Sequence, residues 1–400
     1  MGLINVHRFK NLISSFGFFI KGIVAKRSYD VIFYYPAHFE RGHKGENQYF
    51  SNLYKICNNH NISYEVFVEP DFLTSKINTG QGRPFDFVFI IIILLRKAIN
   101  EKKFTSFQHR EWYIGQLIGK LFFRRTKFKS VIVLSNSMVG LFRGINQHAK
   151  IYDYQHGIIY PSHPGYFENR KVSKHILVNN VQLLLNGNKF YELVQSTNNY
   201  YCENAHVLGT SVVKKEVIKP FNRKLLFSLQ IVERDNFRNK QILVFLLDFL
   251  KLNKNHFLTN GIEIIFKHHP RFENNIDVSC LLIDGVTSFS DKTLECLMDT
   301  CSVHLTFNST TTFEAASFGI PTILIDNDIY SSQIFEENFE YPIPSQSVKD
   351  VGMTIKNYLD NSQNYFSDCS LVSEWFKKYY SPINEKLFVQ LMRRNIGNIQ

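Results

Sequence analysis

The chain is poor in acid and has no paired cysteines. Across 400 residues, 46 lysines and arginines stand against 35 aspartates and glutamates, a formal net charge of +11. The six cysteines, at 57, 202, 280, 296, 301 and 369, form no CxxC pair and no Cys/His zinc spacing. A disulfide framework and a structural metal are therefore not expected, and a reduced, cytoplasmic compartment fits. No apolar stretch reaches the roughly eighteen residues that a membrane-spanning helix requires. Walker spacing is absent, which removes an ATPase reading. No nucleic-acid module accompanies the basic excess, so nucleic acid is not an expected partner. There is no low-complexity tract either, and a hydrophobic content of 44% suffices for two packed domains.

The most informative stretch that is present runs from Phe307 to Asp326. Asn308, Ser309, Thr310, Thr311 and Thr312 follow an apolar run, Glu314-Ala315-Ala316 continues as a helix, and Gly319-Ile320-Pro321 leads into the strand Thr322–Asp326. Free N–H groups at a helix start, together with hydroxyl donors, suit a phosphate. Ser and Thr before a helix also serve as ordinary N-caps. A second motif, Ile262 to Arg271, is a strand ending in Lys267, His268, His269, Pro270 and Arg271. Ligands in open α/β sheets bind beyond such C-terminal strand ends.

Strands are expected at 30–36, 63–69, 130–135 and 151–157, with a helix over 46–60, and 174–213 reads as short strands alternating with turns. A second series begins at Lys224, with strands at 224–230, 262–268, 286–289 and 301–307 and helices at 237–252 and 291–300. Alternating β and α elements imply parallel sheets. The expected class is α/β, with an N-terminal Rossmann-like domain over 1–215, a second over 216–380, a linker near 214–223, and a C-terminal tail or crossover helix over 381–400.

Three motifs carry a family resemblance: Gln155-His156-Gly157, Lys267-His268-His269-Pro270, and Asn308-Ser309-Thr310-Thr311 with Glu314-Ala315 and Gly319-Ile320-Pro321. They span about 170 residues and resemble those of bacterial surface-polysaccharide glycosyltransferases of the GT-B type. Sialyl and Kdo transferases and teichoic-acid polymerases are similar in pairing a His-Pro with a Ser/Thr motif. The resemblance implies two Rossmann-like domains facing across a cleft, with the nucleotide-sugar donor in the C-terminal one. It further implies that His269 meets the donor phosphate, supported by Lys267 and Arg271, that Ser309, Thr310 and Thr311 hold the same phosphate, and that Glu314 meets the ribose. First-turn acids also favour a helix N-terminus without any ligand.

His156 is the candidate catalytic group, because an imidazole with an ordinary pKa near 6.5 can take a proton from an acceptor hydroxyl at cellular pH. Asp153 is expected to orient its ring or to act as base itself, although strand geometry points i and i+3 to opposite faces unless a turn intervenes. His163, in a His-Pro-Gly turn, is explained by the turn. On the acceptor side, His38, Glu40, Arg41 and Glu46 follow the first strand, where a solvated loop is the alternative reading. Asp326-Asn327-Asp328 resembles a metal-binding DxD but stands in the wrong context, and neither a metal nor another cofactor is expected.

Residues 96–129 hold ten Lys or Arg against two Glu, directly after the apolar run 87–95. Contact of region 87–129 with an anionic membrane surface is expected. The N-terminal stretch around 8–20 looks like a weak signal sequence, but Lys21 interrupts it and no small-residue cleavage site follows, so an amphipathic or packed helix is expected. The combined reading is a peripheral glycosyltransferase at the inner membrane face acting on a glycan or lipid-linked glycan, inverting or retaining. A polyol-phosphate transferase and a non-catalytic nucleotide-binding subunit are the alternatives.

Overall fold

The computed structural model describes residues 6–40, 45–71, 82–211, 219–231, 236–269, 277–326 and 333–393. The chain divides into two compact units, Met1–Val212 with Tyr380–Gln400, and Val213–Tyr379. Arg41, Pro270, Arg271, Asn327, Asp328 and the linker residues 214–218 lie outside the described residues.

The first unit contains β1 (Arg27–Pro36), β2 (Tyr64–Glu69), β3 (Arg83–Pro84), β4 (Thr126–Leu134), β5 (Lys150–Tyr154), β6 (Phe167–Glu168), β7 (Lys171–Val172), β8 (Val181–Leu185) and β9 (Ala205–Val207). Seven of these form a parallel sheet in the order β3-β2-β1-β4-β5-β8-β9, while β6 and β7 pair as a hairpin. Asn169 and Arg170, both with positive φ, make the tight turn of that hairpin. The central strands are apolar throughout because helices cover both faces: Val31 to Tyr35 and Val131 to Leu134 are buried without a break. Strand order reverses between β1 and β4, the switch point at which a ligand crevice is expected in such sheets.

The second unit repeats the plan with β10 (Lys224–Ser228), β11 (Glu263–Lys267), β12 (Thr287–Phe289), β13 (Val303–Thr306) and β14 (Thr322–Leu324), all parallel in the order β12-β11-β10-β13-β14. Its switch point lies between β10 and β13.

Three sequence expectations need correcting. The region 174–213 is not strands and turns: helices Lys174–Asn179, Asn188–Thr197 and Tyr201–Asn204 alternate with β8 and β9. In Asn188–Thr197, Phe190 and Val194 are fully buried at helical spacing. The helix expected over 46–60 spans only Ser51–Asn59, because Asn47 Oδ1 accepts from the Tyr49 and Phe50 N–H groups and holds a turn there. The helix expected to end at 252 runs over Asn236–Asn260, its inner line continuing through Phe249, Asn253 and Phe257.

Beyond Tyr379 the chain rejoins the first unit. Helix Glu385–Arg393 places Phe388, Leu391 and Met392 in the core beside Val31, Phe33 and Leu53. His60 and Glu385 approach to 2.6 Å at its start, and Arg393 donates to the His60 carbonyl at its end.

Candidate functional site

The first unit holds a cavity of about 330 Å³ beside the C-terminal ends of β4 and β5. Its floor is built by an unusual loop. After Leu134, the residues Ser135, Asn136 and Met138 all have positive φ (62°, 53° and 55°), a conformation that costs non-glycine residues free energy and persists only where surrounding contacts impose it. Those contacts are visible. Asp153 lies beside Val133 in the β4–β5 register, and its Oδ1 accepts from the Asn136 N–H at 2.8 Å. Arg96 donates twice to Glu111, at 3.0 and 2.5 Å, and its guanidinium also reaches Met138 Sδ at 3.4 Å.

Asp153 is 1% exposed, and its Oδ2 accepts from Tyr166 Oη at 2.9 Å. Its hydrogen-bond partners are thus Asn136 and Tyr166, and His156 is not among them, so the expectation that Asp153 orients the His156 ring is not met. Burial pushes the Asp153 carboxyl up to about 7, only partly offset by these two donors.

His156 lines the cavity. The turn presenting it is fixed by Gln155, whose Nε2 donates to the Gly157 carbonyl and whose Oε1 accepts from Asn186 N–H. Tyr49 Oη donates to the His156 carbonyl at 3.1 Å, and Phe39 packs edge-on against its ring at 5.1 Å. His163 and His175 complete the polar wall. Burial lowers the pKa of both rings, which keeps them neutral near pH 7. His163 Nδ1 accepts from Gly165 N–H at 3.1 Å, so this residue both holds its turn and faces the cavity. Among the described residues no group of three or more His, Cys, Asp or Glu side chains converges as metal ligands would.

Of the acceptor-side residues, His38 and Glu40 belong to the segment following β1; the His38 ring lies 4.4 Å from that of Phe39, and Glu40 accepts from Tyr35 Oη at 3.1 Å. Glu46 lies in the approach to helix Ser51–Asn59. None of these three lines the cavity. Sequence reasoning gave no site role to Arg96, Glu111, Asn136, Tyr166 and His175, which come from five separate segments. The run Ser135-Asn136-Ser137 after an apolar strand was the one local signal available.

In the second unit, both expected motifs reach the same sheet edge. Lys267 ends β11 and the Asn308–Thr312 segment follows β13, with β10 between these strands. At the switch point Gln230 and Asn308 clasp each other, Nε2 to Oδ1 at 2.7 Å and Asn308 N–H to Oε1 at 3.2 Å. Thr310 is exposed and makes no capping bond, while Ser309 Oγ accepts from Thr311 N–H at 3.3 Å. Thr311 turns inward instead, its Oγ1 3.3 Å from His304 Nε2. Thr312 Oγ1 is buried and has no hydrogen-bond partner among the described residues. Glu314 stands exposed in the first turn of helix Thr311–Ser317.

Lys267 Nζ donates to the Ser290 carbonyl at 3.2 Å, and the His268 ring stacks on Phe289 at 4.7 Å, leaving His269 as the next half-buried residue of the loop. Burial, reinforced by Lys267, lowers the His268 pKa. Beneath the hydroxyl-rich loop is a residue given no role from sequence. His304 is fully buried, with Nδ1 2.9 Å from Thr322 Oγ1 and Nε2 2.9 Å from Ser228 Oγ. Burial pushes its ring down to about 3, so it is a neutral strut joining β10, β13 and β14.

No protein-family model and no curated protein matches the sequence. Solved structures do match in fold. A putative UDP-N-acetylglucosamine 2-epimerase from Listeria monocytogenes is similar at a TM-score of 0.57 and 11% identity, covering 94% of this chain and 98% of that one. The UDP-GlcNAc 2-epimerase from Neisseria meningitidis gives 0.54 and 9%, covering 91% and 99%. A variant of the wall teichoic acid polymerase TagF gives 0.53 and 11%, covering 98% of both chains. With its two parallel, Rossmann-like sheets, the chain has the GT-B fold.

Proposed function

We propose that this protein is a glycosyltransferase that moves a sugar from a nucleotide-sugar donor to a growing capsule or lipopolysaccharide glycan in the cytoplasm. The observation that supports the reading is the C-terminal edge of the second sheet, where Gln230 and Asn308 clasp at the switch point beside the exposed Thr310, and His269 follows the neighbouring strand β11. There His269, with Lys267 and Arg271 as electrostatic support, and Ser309 with Thr310 hold the donor phosphates, and Glu314 accepts from the ribose hydroxyls. Thr311, whose Oγ1 lies 3.3 Å from His304 Nε2, supports the loop. The solved structures of similar fold include one bound to UDP-GlcNAc and one bound to UDP, in keeping with a nucleotide-sugar ligand.

The cavity of the first unit takes the acceptor. His156 removes the proton from the attacking hydroxyl, while neutral His163 and His175 and the Asn136 amide exchange hydrogen bonds with sugar hydroxyls. Asp153 is a positioning residue, holding Asn136 and Tyr166 from below. Because each unit has its own polar site, donor binding and turnover should separate by mutation.

A thermal-shift panel with CMP, CDP, UDP, GDP and dTDP tests the donor site, since a ligand of the native state raises its melting temperature. His269→Ala is expected to abolish the shift, and His156→Ala to keep it while losing transfer. The opposite pattern overturns the assignment of roles. Two other readings have an observation in their favour. The similarity to TagF favours a polyol-phosphate transferase, which a CDP-selective shift would indicate. The similarity to the epimerases favours interconversion of a UDP-sugar, which would appear as an epimerised product formed without acceptor. Selective nucleotide binding with neither product would leave a non-catalytic subunit.

A further inference from the structure

The outward face of helix Val6–Val24 is apolar along its length. Phe9, Ile13, Phe16, Ile20 and Ile23, at i, i+4, i+7, i+11 and i+14, lie on one line and are each between 39% and 55% exposed. The inner face already has its partner. Phe19 is 1% exposed and packs against the rings of Phe67, Phe85, Phe122 and Phe123, while Ser15 Oγ accepts from Phe87 N–H. Arg27 and Arg125 donate to the carbonyls of Phe18 and Val24 and hold the C-terminal end of the helix in place. The stripe is therefore not a core face awaiting burial within its own unit. Phe16 touches Phe87 on the neighbouring helix Asp86–Ala98, which exposes Ile90 and Leu94.

The charge around the stripe has one sign. Lys10, Lys21 and Lys26 are exposed, and no acidic residue precedes Asp30 in the chain. On helix Asp86–Ala98 the single acid, Asp86, is buried, and Lys97 continues the Ile90–Leu94 line. We propose that the outward stripe of helix Val6–Val24 docks this protein on an anionic lipid surface, with its lysines meeting the headgroups. A second copy of the chain fits poorly, because a two-fold contact of this helix with itself would set Lys10 and Lys21 against their own like charges. A bilayer receives the apolar line and supplies the counter-charge as well.

Within 96–129, Arg96 pairs with Glu111, Arg110 with Glu101 and Lys129 with Asp30, and the other seven basic residues of that segment add to the positive charge of the same unit. No helix among the described residues is long and apolar enough to cross a membrane, so the docking is to a surface. The inference is independent of the transferase reading and is tested without donor or acceptor.

Flotation of the full chain with vesicles of phosphatidylcholine, with and without added phosphatidylglycerol, provides the test. Partitioning onto the phosphatidylglycerol vesicles is expected, weakened by salt, and reduced about tenfold or more in the Phe9→Ser, Ile13→Ser, Ile20→Ser triple variant. Lys10→Glu with Lys21→Glu leaves the stripe intact and is expected to reduce partitioning by a similar factor. All five positions are exposed, so both variants should melt close to the parent. Flotation of the triple variant equal to the parent's overturns the proposal, as does no flotation by the parent on either vesicle. A parent dimer in solution that the triple variant abolishes, without vesicle binding, overturns it in favour of a second copy.

Discussion

Replacing Asp153 by Asn tests the physical account of the first unit most directly. Asp153 is 1% exposed and titrates at about 7, against an ordinary value of 3.8, because burial penalises its charge more than Asn136 and Tyr166 compensate. In the unfolded chain it ionises above 3.8, whereas in the fold it keeps its proton until about pH 7. Between these values the folded state binds more protons, so stability falls as pH rises through the window and then levels off. A separation of roughly three pH units corresponds to about 4 kcal/mol. Asn resembles the protonated acid: its oxygen can still accept from Asn136 N–H, and Tyr166 Oη can accept from its amide. The variant should therefore match the parent below about pH 3.8 and exceed it by about 4 kcal/mol above pH 7, so that its advantage grows by roughly 3 kcal/mol between pH 5 and pH 8.

The assay is urea unfolding followed by fluorine NMR of fluorotryptophan-labelled protein. The two tryptophans, Trp112 and Trp375, fall in different units, so each unit reports separately. A parent-to-variant difference at Trp112 that is the same at pH 5 and pH 8 would refute the reasoning. A change confined to Trp375 would do so as well.

The same label reads three further substitutions. A Cβ on Gly144 would lie 2.2 Å from the Trp112 carbonyl oxygen, and helices Phe107–Phe122 and Val139–Ile145 cross there. Gly144→Ala should cost about 3 kcal/mol at Trp112, and a neutral result would refute the close crossing. His304, held neutral down to about 3, leaves the unfolded chain binding the extra proton below about 6.5, so the second unit should lose up to about 5 kcal/mol as pH falls from 6.5 to 3. His304→Gln should flatten that dependence at Trp375, and an unchanged slope would exclude His304 as its source. Phe388→Ala, in the helix that rejoins the first unit, should cost about 3–5 kcal/mol at Trp112 and little at Trp375. Equal losses at both probes would contradict the assignment of that helix.

Much of the architecture is legible in the chain because parallel strands buried on both faces leave a local trace. Val31 to Tyr35, Val131 to Leu134 and Ile264 to Phe266 are β-rich runs whose character does not depend on distant partners. The loops after them were identifiable as candidate binding regions for a similar reason, since polar and titratable residues at a strand end have no core to enter. Short elements left weaker traces. In Asn188–Thr197 two buried residues at helical spacing are all that marks the helix, and the surrounding tyrosines and asparagines suit turns equally well.

The sequence by itself determined the α/β class, the tandem repeat of strand and helix, and the positions of His156, Lys267 and Ser309 beside strand ends, because each follows from the order of residues within about ten positions. The tertiary structure alone decided which side chains meet. Asp153 met Asn136 and Tyr166, Thr311 turned from the loop surface toward His304, and Arg96 left the basic face to join Glu111. Each of these pairings depends on register and helix packing between separated segments. A side chain's direction at a strand end, and the burial that sets its charge, arise only when those segments come together.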